Sequence, residues 1–421
     1  MKFVEKNKKI IIIDDACYYP NSHHPSFIKE TFVQLNQKGF TNVKLFICRV
    51  FPIQNSVFTP KSKVLSFPYK IDKITFLVFK YLNINVNKLT SFMKLWRIIK
   101  NQNIGANNLI ILPTASYYLI NSIYDLERMN RFRLGFPNMV LNLLNCTEFL
   151  GMDELHKNAV EITTKINKLI SKYPHKIKLT AESEKYIHRL NEAYSLDNIE
   201  KLYFTNPFKI ESELYLNQGK ELIVSEVNYF WIYCPGAQTR KNKGFYRLLN
   251  VYAQLLKLEP KIIDKIKFVV QQPSTAIKED LDYIATMKEN QSFLLLNNYI
   301  DSDLMKFYYQ KCSAVLLPYM VDSESSDFFK DYGYRGSGIY FEAIKHRKPV
   351  IVPNNVGFIE DVMKYGNGFL CENEDFDLAK AIYNSYEKEV TSINLMTNEA
   401  YIGYCKDFTS QWIEIFKFNI S

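Results

Sequence analysis

The chain has 421 residues, 47% of them hydrophobic and 15% aromatic, with 53 Lys and Arg against 44 Asp and Glu and a net charge of +9. This apolar content excludes a disordered or fibrous chain, and the length exceeds what one compact core usually supports, so two domains of ordinary size are expected. The charge is uneven: residues 1–100 hold 17 basic against 5 acidic side chains, residues 101–225 hold 14 of each, and the remainder is slightly acidic. A basic leading segment suits an anionic surface, although a genome rich in A and T gives the same lysine excess.

No run reaches the roughly 18 to 20 consecutive apolar residues that cross a bilayer. The leading "MKFVEKNKKIIIIDD" meets two aspartates after four isoleucines, which reads as a buried strand and not a signal peptide. A cytoplasmic location is expected. The seven cysteines stand singly with no Cys-x-x-Cys pair, so neither a disulfide framework nor a zinc site is expected. No clustered aromatic and basic module marks the chain as a nucleic-acid binder.

In chain order, "KKIIIID" reads as a strand, "PSFIKETFVQLNQKGF" as a helix and "NVKLFICRVF" as the next strand. "VNKLTSFMKLWRIIKNQ" sets Leu89, Phe92, Met93, Trp96 and Ile99 beside Lys88, Lys94, Arg97 and Lys100. That stripe either packs on a sheet or lies on an anionic membrane. "NNLIILP", "NMVLNLLN" and "KIKLTAES" follow as short apolar runs between turn signals, the pattern of a parallel sheet with helical crossovers.

After the Asn-Pro turn in "LYFTNPFKIESELYLNQGKEL" the alternation restarts. It runs strand "NYFWIYCPG", helix "GFYRLLNVYAQLLKL", strands "IKFVVQQ" and "SFLLLNNYI", helix "SDLMKFYYQKC", strand "AVLLPY", then "YRGSGIYFEAIKHRKPVI". The expected fold is α/β: two Rossmann-like doubly wound domains facing a cleft. Residues 1–208 form the first, residues 209–399 the second, and a C-terminal helix over 400–421 can pack back on the first. Ligands of such sheets gather at the carboxyl ends of the strands.

Two stretches at those ends carry chemistry. In "CPGAQTRKNKGFYRLL" a Pro-Gly turn ends the strand, and Arg240 and Lys243 precede the helix that opens near Gly244, where cations and free amides suit phosphate. A solvated basic turn has the same composition. In "YRGSGIYFEAI", Gly336 and Gly338 let a ligand approach the backbone, Ser337 can cap the helix or donate to a phosphate, and the amides of Gly338 and Ile339 lead the helix. Glu342 follows one turn inside, where a carboxylate can accept from two vicinal hydroxyls. Phosphate at the mouth and ribose one turn deeper describe a nucleotide site; an ordinary capped helix with a surface glutamate is the bland alternative.

The second half resembles the nucleotide-sugar-binding domain of GT-B fold glycosyltransferases of the retaining group 1 type. The resemblance rests on order and spacing: Lys243-Gly244-Phe245, Leu316-Leu317-Pro318, Ser337-Gly338, Glu342-Ala343, Lys348-Pro349-Val350-Ile351 and Gly366-Asn367-Gly368-Phe369. It covers residues 178 to 390 and is weak before them. The "RGSG" turn is similar to one in bacterial polysaccharide transferases.

The resemblance implies an enzyme that moves a sugar from a nucleotide-diphosphate donor to a glycan or lipid-linked acceptor in surface polysaccharide, lipopolysaccharide or capsule assembly, on the cytoplasmic face of a membrane, without a metal or other cofactor. It implies diphosphate binding by Arg240, Lys243, Arg335, Ser337, Gly338 and Ile339, ribose binding by Glu342, and a base resting near Tyr299.

Two positions depart from the pattern. Tyr334 stands where the family has a sugar-contacting glutamate, and Ala237 where it has an arginine. On the acceptor side, His23 and His24 follow the first strand, and His24 is the candidate for proton transfer; Asp14 and Asp15 are alternatives, and Asn145 stands where a histidine is frequent. A nucleotide-sugar epimerase and a non-catalytic nucleotide- or glycan-binding module of the same fold are the rival expectations.

Overall fold

The computed structural model describes residues 9–14, 42–48, 64–67, 86–143, 154–205, 207, 229–235, 243–272, 278–297, 300, 302–321, 330–334, 336–388 and 390–418. The chain divides into two compact units, Met1–Phe204 with Thr409–Ser421, and Thr205–Phe408.

The first unit is built on a seven-stranded sheet in the order β3-β2-β1-β4-β5-β6-β7. Its strands are β1 (Ile10–Asp14), β2 (Val43–Cys48), β3 (Val64–Phe67), β4 (Leu109–Leu112), β5 (Asn138–Asn142), β6 (Ile177–Ala181) and β7 (Ile199–Lys201). Every pairing is parallel. The four isoleucines of β1 and all of "LIIL" in β4 are buried, as a strand covered on both faces requires. β3 and β7 are additional to the strands read from the sequence; "VLSF" and "IEK" hold polar residues and form no continuous apolar run.

Helix α1 (Val86–Gln102) packs against α2 (Tyr117–Arg128). Its buried side chains are Leu95, Ile98 and Ile99, so the apolar face is turned into the unit, while Phe92, Met93 and Trp96 are half-buried. Lys100 and Arg131 lie over the Trp96 ring at 5.9 and 5.6 Å. Helices α3 (Glu154–Lys172) and α4 (Glu184–Tyr194) complete the described crossovers. Among the described residues no helix is long and apolar enough to cross a membrane.

The second unit carries a six-stranded sheet in the order β10-β9-β8-β11-β12-β13. These strands are β8 (Phe230–Cys234), β9 (Ile266–Gln271), β10 (Phe293–Leu296), β11 (Ala314–Leu316), β12 (Val350–Pro353) and β13 (Gly368–Cys371), again all parallel. A short 3-10 turn, Phe245–Arg247, opens α5 (Leu248–Leu258); α6 (Lys278–Glu289), α7 (Ser302–Lys311), α8 (Gly338–Lys345), α9 (Ile359–Tyr365) and α10 (Asp375–Glu387) follow.

Helix α6 was not legible in the sequence. Among its described side chains Ile284 and Met287 are buried, Tyr283 is partly buried beside them and Leu281 is exposed, so its apolar face is narrow. Its presence is what makes β9 and β10 a parallel pair, since adjacent parallel strands need a crossover. Ile232, Phe268 and Val270 of the sheet meet Leu248, Val251, Leu255, Leu378 and Ile382 of α5 and α10 in one core.

The last helix, α11 (Val390–Phe418), belongs to the second unit up to Phe408 and to the first from Thr409. In the second unit the Tyr404 ring stacks on Phe341 at 5.0 Å, and its hydroxyl donates to the Thr205 carbonyl. In the first, Trp412 donates from Nε1 to the Tyr203 carbonyl at 3.0 Å, Gln411 accepts from the Tyr203 amide at 2.8 Å, and Phe204 meets the Trp412 ring edge-on.

Candidate functional site

In both sheets the strand order reverses beside the first strand of the unit, between β1 and β4 and between β8 and β11. The crevice outside the carboxyl ends at such a switch point is where open α/β sheets bind ligands. In the second unit it is bounded by the turn after β8, the end of β11 and the start of α8.

β8 and β11 are joined there by a glycine. Gly244 adopts φ +75°, and a Cβ on it would stand 1.8 Å from the Pro318 carbonyl oxygen, so no other residue fits. The contact brings the Lys243-Gly244 turn against the end of "VLLP". Lys243 is half-buried, and Phe245 beyond Gly244 is fully buried in the core. Tyr283 of α6 accepts from the Leu249 amide and donates to the Tyr246 carbonyl, both at 2.8 Å, which satisfies one of the leading amides of α5.

Arg247, which the sequence reading passed over, is buried with 6% of its surface exposed. Its guanidinium donates from Nε to Asp375 Oδ1 at 2.7 Å, from Nη1 to Asn373 Oδ1 at 2.6 Å and from Nη2 to the Asn373 carbonyl at 3.0 Å. Asn373 lies in the turn between β13 and α10, and Asp375 is the first residue of α10.

Helix α8 opens at Ser337, whose backbone is extended (φ −130°, ψ 108°) and whose Oγ accepts from the Tyr340 amide at 3.3 Å. Ser337 is buried, and its Oγ also lies 3.4 Å from the Tyr319 hydroxyl. Of its two possible roles the structure shows the cap. Gly338 and Ile339 hold the first two helical positions, whose amides have no intrahelical acceptor. Tyr309 of α7 donates to the Ile339 carbonyl at 3.5 Å and stacks on His346 with ring centroids 5.0 Å apart, which braces α8 from the side.

The Glu342 carboxylate is 21% exposed and stands 3.5 Å from Lys345 Nζ and 3.7 Å from His346 Nε2, one turn further along α8. Tyr334 is half-buried, just after the 3-10 turn Lys330–Gly333. That turn is tied down where the Tyr332 carbonyl accepts from the Gly357 amide at 2.7 Å and the Tyr332 ring meets Tyr319 at 4.3 Å.

The remaining motifs of the resemblance lie at the opposite edge of the sheet, where strands begin. Lys348 donates from Nζ to the Gln310 and Cys312 carbonyls at 2.9 and 2.7 Å and so closes the C-terminal end of α7. Asn367 is fully buried and accepts from the Tyr340 hydroxyl at 2.9 Å. A Cβ on Gly368 would stand 2.2 Å from Val362 Cγ1. These residues hold α7, α8, α9 and the sheet together.

Arg240, Arg335, Tyr299 and His24 lie outside the described residues, as do His23, Asp15, Asn145 and Ala237. In the first unit, Asp14 closes β1 and is fully buried. Near it along the carboxyl edge, Asn142 donates from Nδ2 to the Pro113 carbonyl at 2.8 Å, and the Thr180 hydroxyl lies 3.3 Å from Asn142 Oδ1. Asn142 is the last residue of "NMVLN" and Thr180 the last but one of "IKLTA", polar positions at the ends of apolar runs. Among the described residues no group of three or more His, Cys, Asp or Glu is placed to hold a metal ion.

No family model and no curated sequence matches the chain. Among solved structures it is similar to a glycosyltransferase from Rickettsia africae (14% identity, TM-score 0.63, 99% of each chain covered). It is also similar to a UDP-forming α,α-trehalose-phosphate synthase from Burkholderia xenovorans (10% identity, TM-score 0.64, 98% of each chain). A third likeness is to Anabaena HepE in complex with UDP (14% identity, TM-score 0.59, 97% of this chain and 99% of that one). With its two parallel sheets in Rossmann order, the chain has the two-domain α/β fold of these structures, GT-B.

Proposed function

We propose that the protein is a glycosyltransferase that moves a sugar from a nucleoside-diphosphate donor to a glycan or lipid-linked acceptor in surface polysaccharide assembly. The observation that carries the reading is the convergence at one switch point of the Lys243-Gly244 turn, locked on Pro318, and the Ser337-capped start of α8 with Glu342 behind it. The UDP bound to the Anabaena protein and the UDP-forming reaction of the Burkholderia synthase support a uridine nucleotide as the first donor to test.

In the proposed reaction Lys243 and Arg240, with Arg335, take the charge of the donor diphosphate, and the leading amides Gly338 and Ile339 hydrogen-bond to it. Glu342 accepts from the ribose hydroxyls, and the base rests near Tyr299. The bond from the sugar anomeric carbon to the phosphate oxygen breaks with its electron pair left on the nucleoside diphosphate, where cations and helix amides stabilise the growing charge in place of a metal. The acceptor hydroxyl then bonds to that carbon with retention of configuration, and its proton passes toward His24 or the departing phosphate. The exposed Arg97 and Lys100 of α1 supply cations for an anionic membrane surface beside a lipid-linked acceptor.

A thermal-shift screen of UDP-, GDP-, ADP- and CMP-sugars on the parent protein, Lys243→Ala and Glu342→Ala tests the reading. Stabilisation of the parent and its loss in both variants is the expected result; no shift in the parent sinks it, and a shift kept by both variants moves the site. Tyr334, in place of a sugar-contacting glutamate, favours one second reading, a non-catalytic nucleotide-binding module. It predicts nucleotide stabilisation with no turnover of any donor.

A further inference from the structure

Arg247 is a buried cation that the proposed chemistry does not use. Its side chain is 7% exposed and its carboxylate partner Asp375 29%. Burying such a pair is seldom a gain in stability, because desolvation offsets the attraction; apolar residues of the same volume do as well or better. The geometry of the three bonds is more informative than their charge. A guanidinium presents a rigid planar fork, and here that fork is divided among Asp375 Oδ1, Asn373 Oδ1 and the Asn373 carbonyl, in the turn that follows β13 and the first residue of α10.

At its other end Arg247 is tied to the diphosphate turn. Its amide donates to the Gly244 carbonyl at 3.1 Å. Gly244 is in turn wedged against the Pro318 carbonyl after β11. The backbone of Lys243 is therefore held from two directions, by Pro318 through Gly244 and by Asn373 and Asp375 through Arg247. Three separated carboxyl-edge segments, following β8, β11 and β13, are locked to one another around the lysine.

From this arrangement we infer that Arg247 is a positioning residue for the donor site: it holds the Lys243 turn in the geometry that a nucleoside diphosphate requires, without touching the ligand. The inference rests on the donor reading above. Since the Asp375 carboxylate offsets the arginine charge, the effect is one of geometry. Lysine in its place, keeping the charge but lacking the fork, fails to restore it.

The test is calorimetric titration of UDP, with GDP in parallel, into the parent, Arg247→Met, Arg247→Lys, Lys243→Ala and the double variant Arg247→Met/Lys243→Ala. Circular dichroism and melting serve as folding controls. Arg247→Met and Arg247→Lys are expected to weaken binding about tenfold or more, and Arg247→Met to add nothing once Lys243 is gone, because residues acting through one another are non-additive. Where a donor turns over, its KM rises while kcat stays within about twofold.

Arg247→Met or Arg247→Lys binding as the parent does, or losses at Arg247 and Lys243 that simply add, overturns the inference while leaving the donor reading intact. A parent that binds neither nucleotide overturns the donor reading, and the inference with it. If Arg247→Met does not fold, Asn373→Ala and Asp375→Ala, which remove acceptors from the same fork, are judged by the same cycle against Lys243→Ala.

Discussion

Gly244 and Pro318 meet so closely that the carbonyl of one strand end occupies the space of the other turn's missing side chain. The contact closes the switch point of the second sheet and sets where Lys243 stands. Gly244→Ala combines a left-handed backbone with a direct clash, and is expected to lower unfolding stability by about 3 kcal/mol. Urea unfolding of the variant beside the parent measures it, and a loss below about 1 kcal/mol would mean that the turn can shift away from Pro318 at little cost.

Glu342 is proposed to hold ribose, and in the structure its carboxylate stands beside Lys345 and His346, one turn further along the chain. The Lys345 and His346 side chains are buried, so removing the charge of Glu342 has a cost in the free protein; hydrogen bonds donated by two ribose hydroxyls to its carboxylate are worth about 1.5–3 kcal/mol. Glu342→Gln should therefore weaken nucleotide binding by about tenfold to a hundredfold and, since it uncharges one member of a largely buried pair, also lower the melting temperature of the free protein. Equal nucleotide affinities by calorimetry would remove Glu342 from the site.

Tyr117 in the first unit donates to Glu161 Oε2 at 2.8 Å. Burial, and then this bond to a carboxylate, push the phenol up to about 12 from its ordinary value of 10.0. Its folded value lies above its unfolded one, so its contribution to stability is complete below pH 10 and is lost as the pH rises toward 12. Tyr117→Phe should be less stable at pH 8 by about 1 kcal/mol and should lose less than the parent between pH 10 and 12. Parallel alkaline limbs for the two proteins in denaturation curves would argue against the assignment.

Trp412 is buried and donates to the Tyr203 carbonyl from the far end of the last helix. Trp412→Ala is expected to cost about 3–5 kcal/mol in the first unit, from the cavity and from the carbonyl left without its donor. Loss of hydrogen-exchange protection around residues 199–204, with the sheet of the second unit unchanged, is the outcome to look for; uniform loss across both sheets would contradict a local role.

Much of the architecture was legible from composition along the chain. "IIIID", "LIIL", "FWIYC" and "VIVP" are apolar runs of strand length bounded by turn residues, and a fully buried parallel strand has no other way to read. Helix α6 escaped because its buried face is narrow, Ile284 and Met287 with the partly buried Tyr283 beside them, and β3 and β7 because "VLSF" and "IEK" hold polar residues and form no continuous apolar run. The motifs of the second unit were legible as an ordered set, but their division of labour was not. Lys348, Asn367 and Gly368 carry the same pattern strength as Lys243 and Gly338, yet they sit at the edge where strands begin and act in packing.

Sequence alone determined the α/β class, the restart of the strand-helix alternation in the second half of the chain, and the glycines at 244 and 338, because these depend on local periodicity and on backbone freedom. Only the tertiary structure decided that Gly244 answers to Pro318, that Ser337 caps α8 beside Tyr319, and that Arg247 is locked to Asn373 and Asp375. Gly244 and Arg247 are each separated from their partners by the path of the chain through other strands, 128 residues for Arg247 and Asp375. Pairings of that kind are set by strand order and by what must fit at the carboxyl edge, which no local pattern of residues encodes.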